Sequence, residues 1–164
     1  MAAASTPAIR TLVQAGVEHR VHPYNHDPRT DSYGTEAVDA LATELALDPG
    51  QIFKTLVLEL STGSLAVAVL PVPRTLSLKA AAAALGAPKA TMADRVKAER
   101  STGYVLGGIS PLGQRKRLPT VVDASATRWD RVLCSAGRRG LEIELAPAEL
   151  IRLTNAVTAP VAAG

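Results

Sequence analysis

The sequence predicts a single α+β domain built on a mixed, curved β-sheet with helices around it. Three observations carry this reading. The chain has 164 residues, which suits one ordinary domain and is cramped for two. Strand-like and helix-spaced segments alternate along it without a strict βαβ rhythm, which argues α+β. No obvious linker divides it, so residues 1–164 read as one unit with a core over about residues 6–155.

Each element has a local cause. Thr6-Pro7 has the form of an N-cap followed by proline at the first helical position, and Gly16 stops that helix. Ile9, Leu12 and Val13 share its face. Residues 17–22 alternate as a strand, with Val17, His19 and Val21 on one side and Glu18, Arg20 and His22 on the other. Residues 23–34 are polar and turn-rich, and such loops carry function more often than core strands do. Residues 35–45 form a helix with Val38, Leu41 and Leu45 spaced for burial, and Asp48-Pro49-Gly50 is a turn. Residues 53–60 and 65–70 are strands flanking Ser61-Thr62-Gly63-Ser64, a hairpin. Ser77 caps a helix that reaches Leu85 and ends at Gly86, and Asp94 caps a short helix to Arg100. Residues 104–106, 120–123, 131–134 and 141–145 are further strand candidates. Residues 147–153 form the last helix, and the tail after Asn155 should fray.

Composition excludes several classes. With 47% hydrophobic and 20% charged residues, the chain is not disordered. The formal net charge of +3 is unevenly spread. Residues 1–94 carry −2, residues 95–139 carry +7 and residues 140–164 carry −2. Such a block suits either a polyanion such as nucleic acid or a solvated basic surface. Cys134 is the sole cysteine, which excludes an intrachain disulfide and a multi-cysteine zinc site and makes a reducing cytoplasm the natural compartment. The longest uncharged runs, such as residues 60–73, reach about 14 residues, short of the roughly 20 that a spanning helix needs. No membrane role is expected, and the first residues lack the basic and apolar regions of a secretory signal.

A few residues could carry chemistry. Lys54 begins the apolar face formed by Ile52, Leu56, Leu58 and Leu60. It either snorkels at the edge or sits in a pocket, where a cation could bind a carboxyl or ester oxygen. The run from Gly103 to Gly113 contains Gly107-Gly108, whose backbone N–H groups could clamp a carbonyl or simply form a tight turn. Gln114-Arg115-Lys116-Arg117 follows at once, with three cations suited to phosphate contacts or to solvent. His19, His22 and His26 are spaced loosely like metal ligands, but His19 and His22 face opposite sides of a strand, so no metal is expected. Cys134 reads as an inert buried thiol. Ser135 precedes the basic turn Ala136-Gly137-Arg138-Arg139-Gly140. Glu142 and Glu144 share a strand face that is either solvated or offers one carboxylate to an amino group.

Taken together these residues resemble a known family. Residues 100–104, Arg-Ser-Thr-Gly-Tyr, and then 107–120, Gly-Gly-Ile-Ser-Pro-Leu-Gly-Gln-Arg-Lys-Arg-Leu-Pro-Thr, are similar to the bacterial Cys-tRNA(Pro) deacylases of the YbaK type. Thr6-Pro7-Ala8, residues 22–28, Phe53-Lys54-Thr55-Leu56 and residues 137–145 fit in the same order, so the resemblance spans residues 6–155. It implies a barrel-like sheet of the kind found in prolyl-tRNA synthetase editing domains. It also implies a cofactor-free domain that removes cysteine mischarged onto tRNA(Pro), in a ternary complex with prolyl-tRNA synthetase. Lys54 matches the principal active-site residue of that family. Gly107, beside Gly108, matches the pocket glycine, and Tyr24 and Ser135 match other pocket positions. Tyr33 stands where phenylalanine is frequent, and Glu142 where aspartate is. The substrate's own thiol would attack its ester carbonyl and leave as a cyclic thiolactone, so no triad, metal or poised base is required. Arg115, Lys116, Arg117, Arg138 and Arg139 would then frame the arriving tRNA 3′ end. Related editing domains remove alanine from tRNA(Pro), so other or broader specificities, and a non-catalytic tRNA- or synthetase-binding module, are the alternatives.

Overall fold

The structure is a computed structural model that describes residues 5–25 and 33–163, with side chains from residue 35 onward in the second stretch. Helix α1 (Pro7–Ala15) starts at Thr6, whose side chain accepts the Ile9 N–H, and ends at Gly16. Ala8 and Leu12 centre its buried stripe, leaving Val13 beyond the edge and 64% exposed, contrary to expectation. Strand β1 (His19–Pro23) and helix α2 (Tyr33–Glu44) flank the loop whose central part, with His26, lies outside the described residues. A single 3-10 turn at Pro49–Gln51, closed by an Asp48 capping box, leads into the hairpin β2 (Phe53–Leu60) and β3 (Leu65–Pro71). Then come β4 (Thr75–Leu76), α3 (Leu78–Ala84) capped by Ser77, and β5 (Ala90–Met92). Helix α4 (Arg95–Thr102) is capped by Asp94 and closed by Gly103. After a long loop, β6 (Thr120–Asp123), β7 (Val132–Arg138), β8 (Leu141–Leu145), α5 (Pro147–Thr154), β9 (Val157–Ala159) and β10 (Ala162–Ala163) complete the order.

The strands make three sheets, ordered β5-β2-β3-β6-β9, β1-β8-β7 and β10-β4. The five-stranded sheet is mixed, because β3–β6 and β6–β9 are parallel while the β2 pairings are antiparallel. Strand β3 sits at its centre, and residues 66–70 are fully buried, as the unbroken apolar run requires of a strand covered on both faces. One face packs Phe53, Val67 and Val69 against Leu12, Cys134, Ile143 and Leu145. The other packs Leu58, Ala68 and Val121 against α3 and Val161. Helix α2 covers Ile52 and Leu133 with Ala37 and Leu41. These two strand residues also make a parallel bridge that joins the two larger sheets. No helix among the described residues is long and apolar enough to cross a membrane.

Four expectations need correction. The pairings among the described residues do not close a barrel, and the edge strands β5 and β9 are three residues each, leaving little ladder to carry closure further. Residues 104–106 are not a strand. Tyr104 is buried and its phenol donates to the Leu112 carbonyl at 2.6 Å, which holds the glycine-rich segment as a loop. In the edge strand β1, Val21 is 38% exposed, and it is His22 that turns inward to Glu144 at 2.7 Å. The tail after Asn155 does not fray. Asp123 Oδ1 accepts the N–H groups of Val161 and Ala162 at 2.8 and 3.0 Å, β9 lies parallel to β6, and Val161 is fully buried. A carboxylate at the end of a buried strand supplies acceptors that a chain terminus would otherwise take from water.

Candidate active site

A cavity of about 290 Å³ opens at the seam between the two larger sheets. The start of β2 contributes Phe53, Lys54, Thr55 and Leu56, β7 contributes Ser135, β8 contributes Glu142, and α2 contributes Thr35 and Ala37. Tyr24 follows β1, and Leu106, Gly107 and Ile109 come from the glycine-rich loop. Five of the residues picked out from the sequence, Tyr24, Lys54, Gly107, Ser135 and Glu142, therefore line one cavity although they are scattered over more than 110 residues of chain.

Lys54 Nζ donates to the carbonyl oxygens of Val72 and Arg74 at 3.2 and 2.6 Å. Burial lowers its pKa, while the carbonyl dipoles favour the ammonium, leaving a fixed cation with one further N–H to offer. Glu142 is the opposite case. It is 5% exposed and lines the cavity without a hydrogen bond or ion pair to any described residue. Burial pushes its carboxyl up to about 8. The sequence offered a solvated Glu142–Glu144 face as one alternative, but the two carboxylates differ in surroundings. Glu144 is paired with His22, whereas Glu142 is closed in between β1 and β7. Lys54 and Glu142 do not pair with each other. Tyr24, raised to about 12 by burial and then by the nearby Glu142 charge, stays a neutral phenol.

The glycine pair divides its work. Gly107 has φ +95°, a backbone that L side chains rarely adopt, and it lines the cavity. Gly108 does not. Its N–H is used by the Val105 carbonyl at 2.9 Å, and a Cβ there would lie 2.8 Å from Arg138 Cα and the Arg139 nitrogen. Gly108 thus permits the loop to press on the β7–β8 turn, and its neighbour is aimed inward as a result. Ser135 sits at a β-bulge and its Oγ accepts the Gly137 N–H at 3.1 Å, leaving the hydroxyl proton free for a ligand.

Other expected residues lie elsewhere. Arg115, Lys116 and Arg117 are exposed and none lines the cavity; the Arg115 and Lys116 N–H groups bond to the Thr102 and Ser101 carbonyls. Arg138 is exposed and Arg139 is half-buried, its guanidinium 2.7 Å from Glu36. Both line a groove beside the cavity. Tyr33 opens α2, and its side chain lies outside the described residues. No cluster of three metal-ligating side chains occurs among the described residues. Cys134 is fully buried and its thiol is pushed well up by burial and then by Glu142. Sequence reasoning missed Thr55, a cavity-lining residue whose buried Oγ1 has no hydrogen-bond partner among the described residues. Its position beside Lys54 was the only signal.

Comparison with known proteins gives the family and supports the fold. Residues 33–153 match the model of the aminoacyl-tRNA editing domain. An Enterococcus faecalis protein named as a Cys-tRNA(Pro)/Cys-tRNA(Cys) deacylase, EbsC, is 36% identical over 146 residues, 89% of each chain. A crystal structure described as that of a trans-editing enzyme for prolyl tRNA synthetase superposes with a TM-score of 0.81 at 26% identity, covering 99% of this chain and all of the other. The crystal structure of a hypothetical protein, APE2540, superposes at 0.82 with 25% identity, over 96% of this chain and all of the other. A family model that takes in most of the chain, and a relative aligned along nearly its whole length, place this protein in the aminoacyl-tRNA editing domain family, among its YbaK/EbsC-type trans-editing members.

Proposed function

We propose that this chain removes cysteine mischarged onto tRNA(Pro), acting in trans on tRNA delivered by prolyl-tRNA synthetase in a ternary complex. The observation that carries this reading is one small cavity lined by both a fixed Lys54 cation and a buried Glu142 carboxyl that has no partner among the described residues. An aminoacyl ester presents an α-ammonium and a polar carbonyl two bonds apart, which suits the two groups. Glu142 would take the ammonium. The Lys54 ammonium and the Gly107 N–H would take the carbonyl oxygen as it gains negative charge. Tyr24 and Ser135 would complete the wall. The identity of the aligned relative supports cysteine as the amino acid.

Cys134, the sole cysteine, is buried and its thiol is held protonated. As the resemblance to the YbaK-type deacylases implies, the attacking group is the substrate's own thiol. The cysteine sulfur attacks its own ester carbonyl carbon, the bond from that carbon to the ribose oxygen breaks, and the ribose oxygen takes up the proton lost by the thiol. The products are uncharged tRNA and a cyclic thiolactone. Selection by a second site answers a real physical limit, because one apolar pocket cannot strongly reject a near-isostere.

The test is a deacylation panel of Cys-, Ala-, Ser- and Pro-tRNA(Pro), with and without prolyl-tRNA synthetase. Cys-tRNA(Pro) should be cleared, Ser-tRNA(Pro) spared, and Lys54→Ala should lose nearly all activity while keeping the wild-type fold by circular dichroism. Clearance of Ala- or Ser-tRNA(Pro) as fast as Cys-tRNA(Pro) would replace the thiol route by a broader deacylase. Tight tRNA binding with no turnover would leave a non-catalytic module.

A further inference from the structure

A groove of about 780 Å³ runs beside the cavity, and Tyr24 and Leu106 line both. Its other walls include Arg95 at the start of α4 and Arg138 and Arg139 at the β7–β8 turn. Three arginines thus meet in a cleft that shares the Tyr24 and Leu106 wall with the cavity. They come from segments more than 40 residues apart, and nothing in the local sequence marks Arg95 as their companion.

The cations are not all committed. Arg138 is exposed and makes no ion pair among the described residues. Arg95 Nε lies 3.2 Å from Glu99 Oε2 in an exposed pair on one helix, a contact that holds a guanidinium weakly and leaves its other donors free. Arg139 is tied to Glu36 and serves the field more than contact. The Glu99 carboxylate is further engaged, because it accepts the Leu106 N–H at 2.7 Å and so fastens the loop that separates cavity from groove. That loop presents Val105 at 67% and Leu106 at 40% exposure. An apolar strip whose Leu106 N–H is held by Glu99, edged by arginines, has cations for phosphates and apolar side chains for base faces to pack against.

We infer that this groove, and not the Arg115-Lys116-Arg117 segment, holds the single-stranded 3′ end of the RNA. Phosphodiesters would lie on Arg95 and Arg138, and bases against Val105 and Leu106. The inference rests on the editing reading of the cavity: a ribose ester seated there must send its strand outward past Tyr24 and Leu106. Charge complementarity selects the occupant, since each nucleotide brings one negative charge into a cleft with surplus cation.

The experiment measures binding of the full chain to an RNA hairpin with a four-nucleotide 3′ overhang and to the same hairpin with a blunt end, from low to moderate salt. Wild type should prefer the overhang. Arg95→Gln with Arg138→Gln should abolish that preference and reduce the slope of log K against log salt by about 1.4, at roughly 0.7 per single-strand phosphate. Arg95→Lys with Arg138→Lys should restore the slope. An unchanged slope in the double glutamine variant would overturn the inference. So would equal binding of both hairpins by wild type, which would assign the binding to duplex phosphates. A loss carried instead by Arg115→Gln with Lys116→Gln would overturn it too. A chain that binds the overhang with the stated slope but deacylates no charged tRNA would sink the catalytic reading alone. A chain that deacylates with a slope indifferent to Arg95 and Arg138 would sink this one alone.

Discussion

Glu142→Gln should stabilise the protein and damage its activity together. The carboxyl is buried, lacks a partner among the described residues, and is raised from 4.5 to about 8. Between those values the folded chain holds a proton that the unfolded chain has released, so stability falls as pH rises through the window. At about 1.4 kcal/mol per pKa unit the full penalty above pH 8 is up to about 5 kcal/mol. Because the carboxyl faces a cavity that admits water, about 2–4 kcal/mol is the expectation. Glutamine has the shape of the protonated acid and no charge to bury. The variant should match wild type near pH 5 and exceed it at pH 9, where the gain is roughly 5–10 °C in thermal midpoint for a chain of this size. The Glu142 charge also helps to raise the neighbouring Tyr24 and Cys134, so its removal relieves them too and adds to the gain at high pH in the same direction. Thermal or urea unfolding of the two proteins from pH 5 to 9 reads this directly. Midpoints that stay parallel across the range would show that Glu142 is not a stored electrostatic cost, and the reasoning would fail. Deacylation should move the other way, with kcat/KM down at least tenfold, because the amide cannot form an ion pair with an ammonium.

Two structural predictions accompany it. Gly108→Ala places a methyl 2.8 Å from the backbone of Arg138 and Arg139; it should cost about 1–3 kcal/mol by denaturant titration and lower activity through the displaced Gly107. Asp123→Ala removes the acceptor of the Ser125, Val161 and Ala162 N–H groups; it should cost about 2–4 kcal/mol and release the C-terminal amides to fast hydrogen exchange. In wild type, burial raises the Asp123 pKa but its hydrogen bonds outweigh this and lower it, so its contribution is present above the ordinary aspartate range and fades as pH falls through the lowered pKa.

Much of the local structure was legible because its causes are local. The Thr6, Ser77 and Asp94 caps, the β2–β3 hairpin about Gly63 and the apolar run of β3 each depend on neighbours a few residues away. The long 100–120 motif with Lys54 carried the family resemblance for the same reason: it is contiguous or in fixed order. Other features depended on distant partners. The tail docks because Asp123, some 38 residues earlier, supplies acceptors to Val161 and Ala162. Alternation could put Glu142 and Glu144 on one face, but only the β1 and β7 neighbours decide that one is paired and the other closed in.

The sequence by itself determined the α+β class, the order of most elements, the family and the principal members of the cavity, because these rest on periodicity, capping and motif spacing. The tertiary structure alone decided the charge environment. It left Glu142 without a partner among the described residues, held Lys54 between two carbonyls, committed the Gly108 N–H to a turn, set Arg95 beside the expected Arg138 and Arg139, and kept the Arg115 segment away from the cavity. Burial and proximity between remote segments are properties of packing, and a linear pattern of residue types does not specify them.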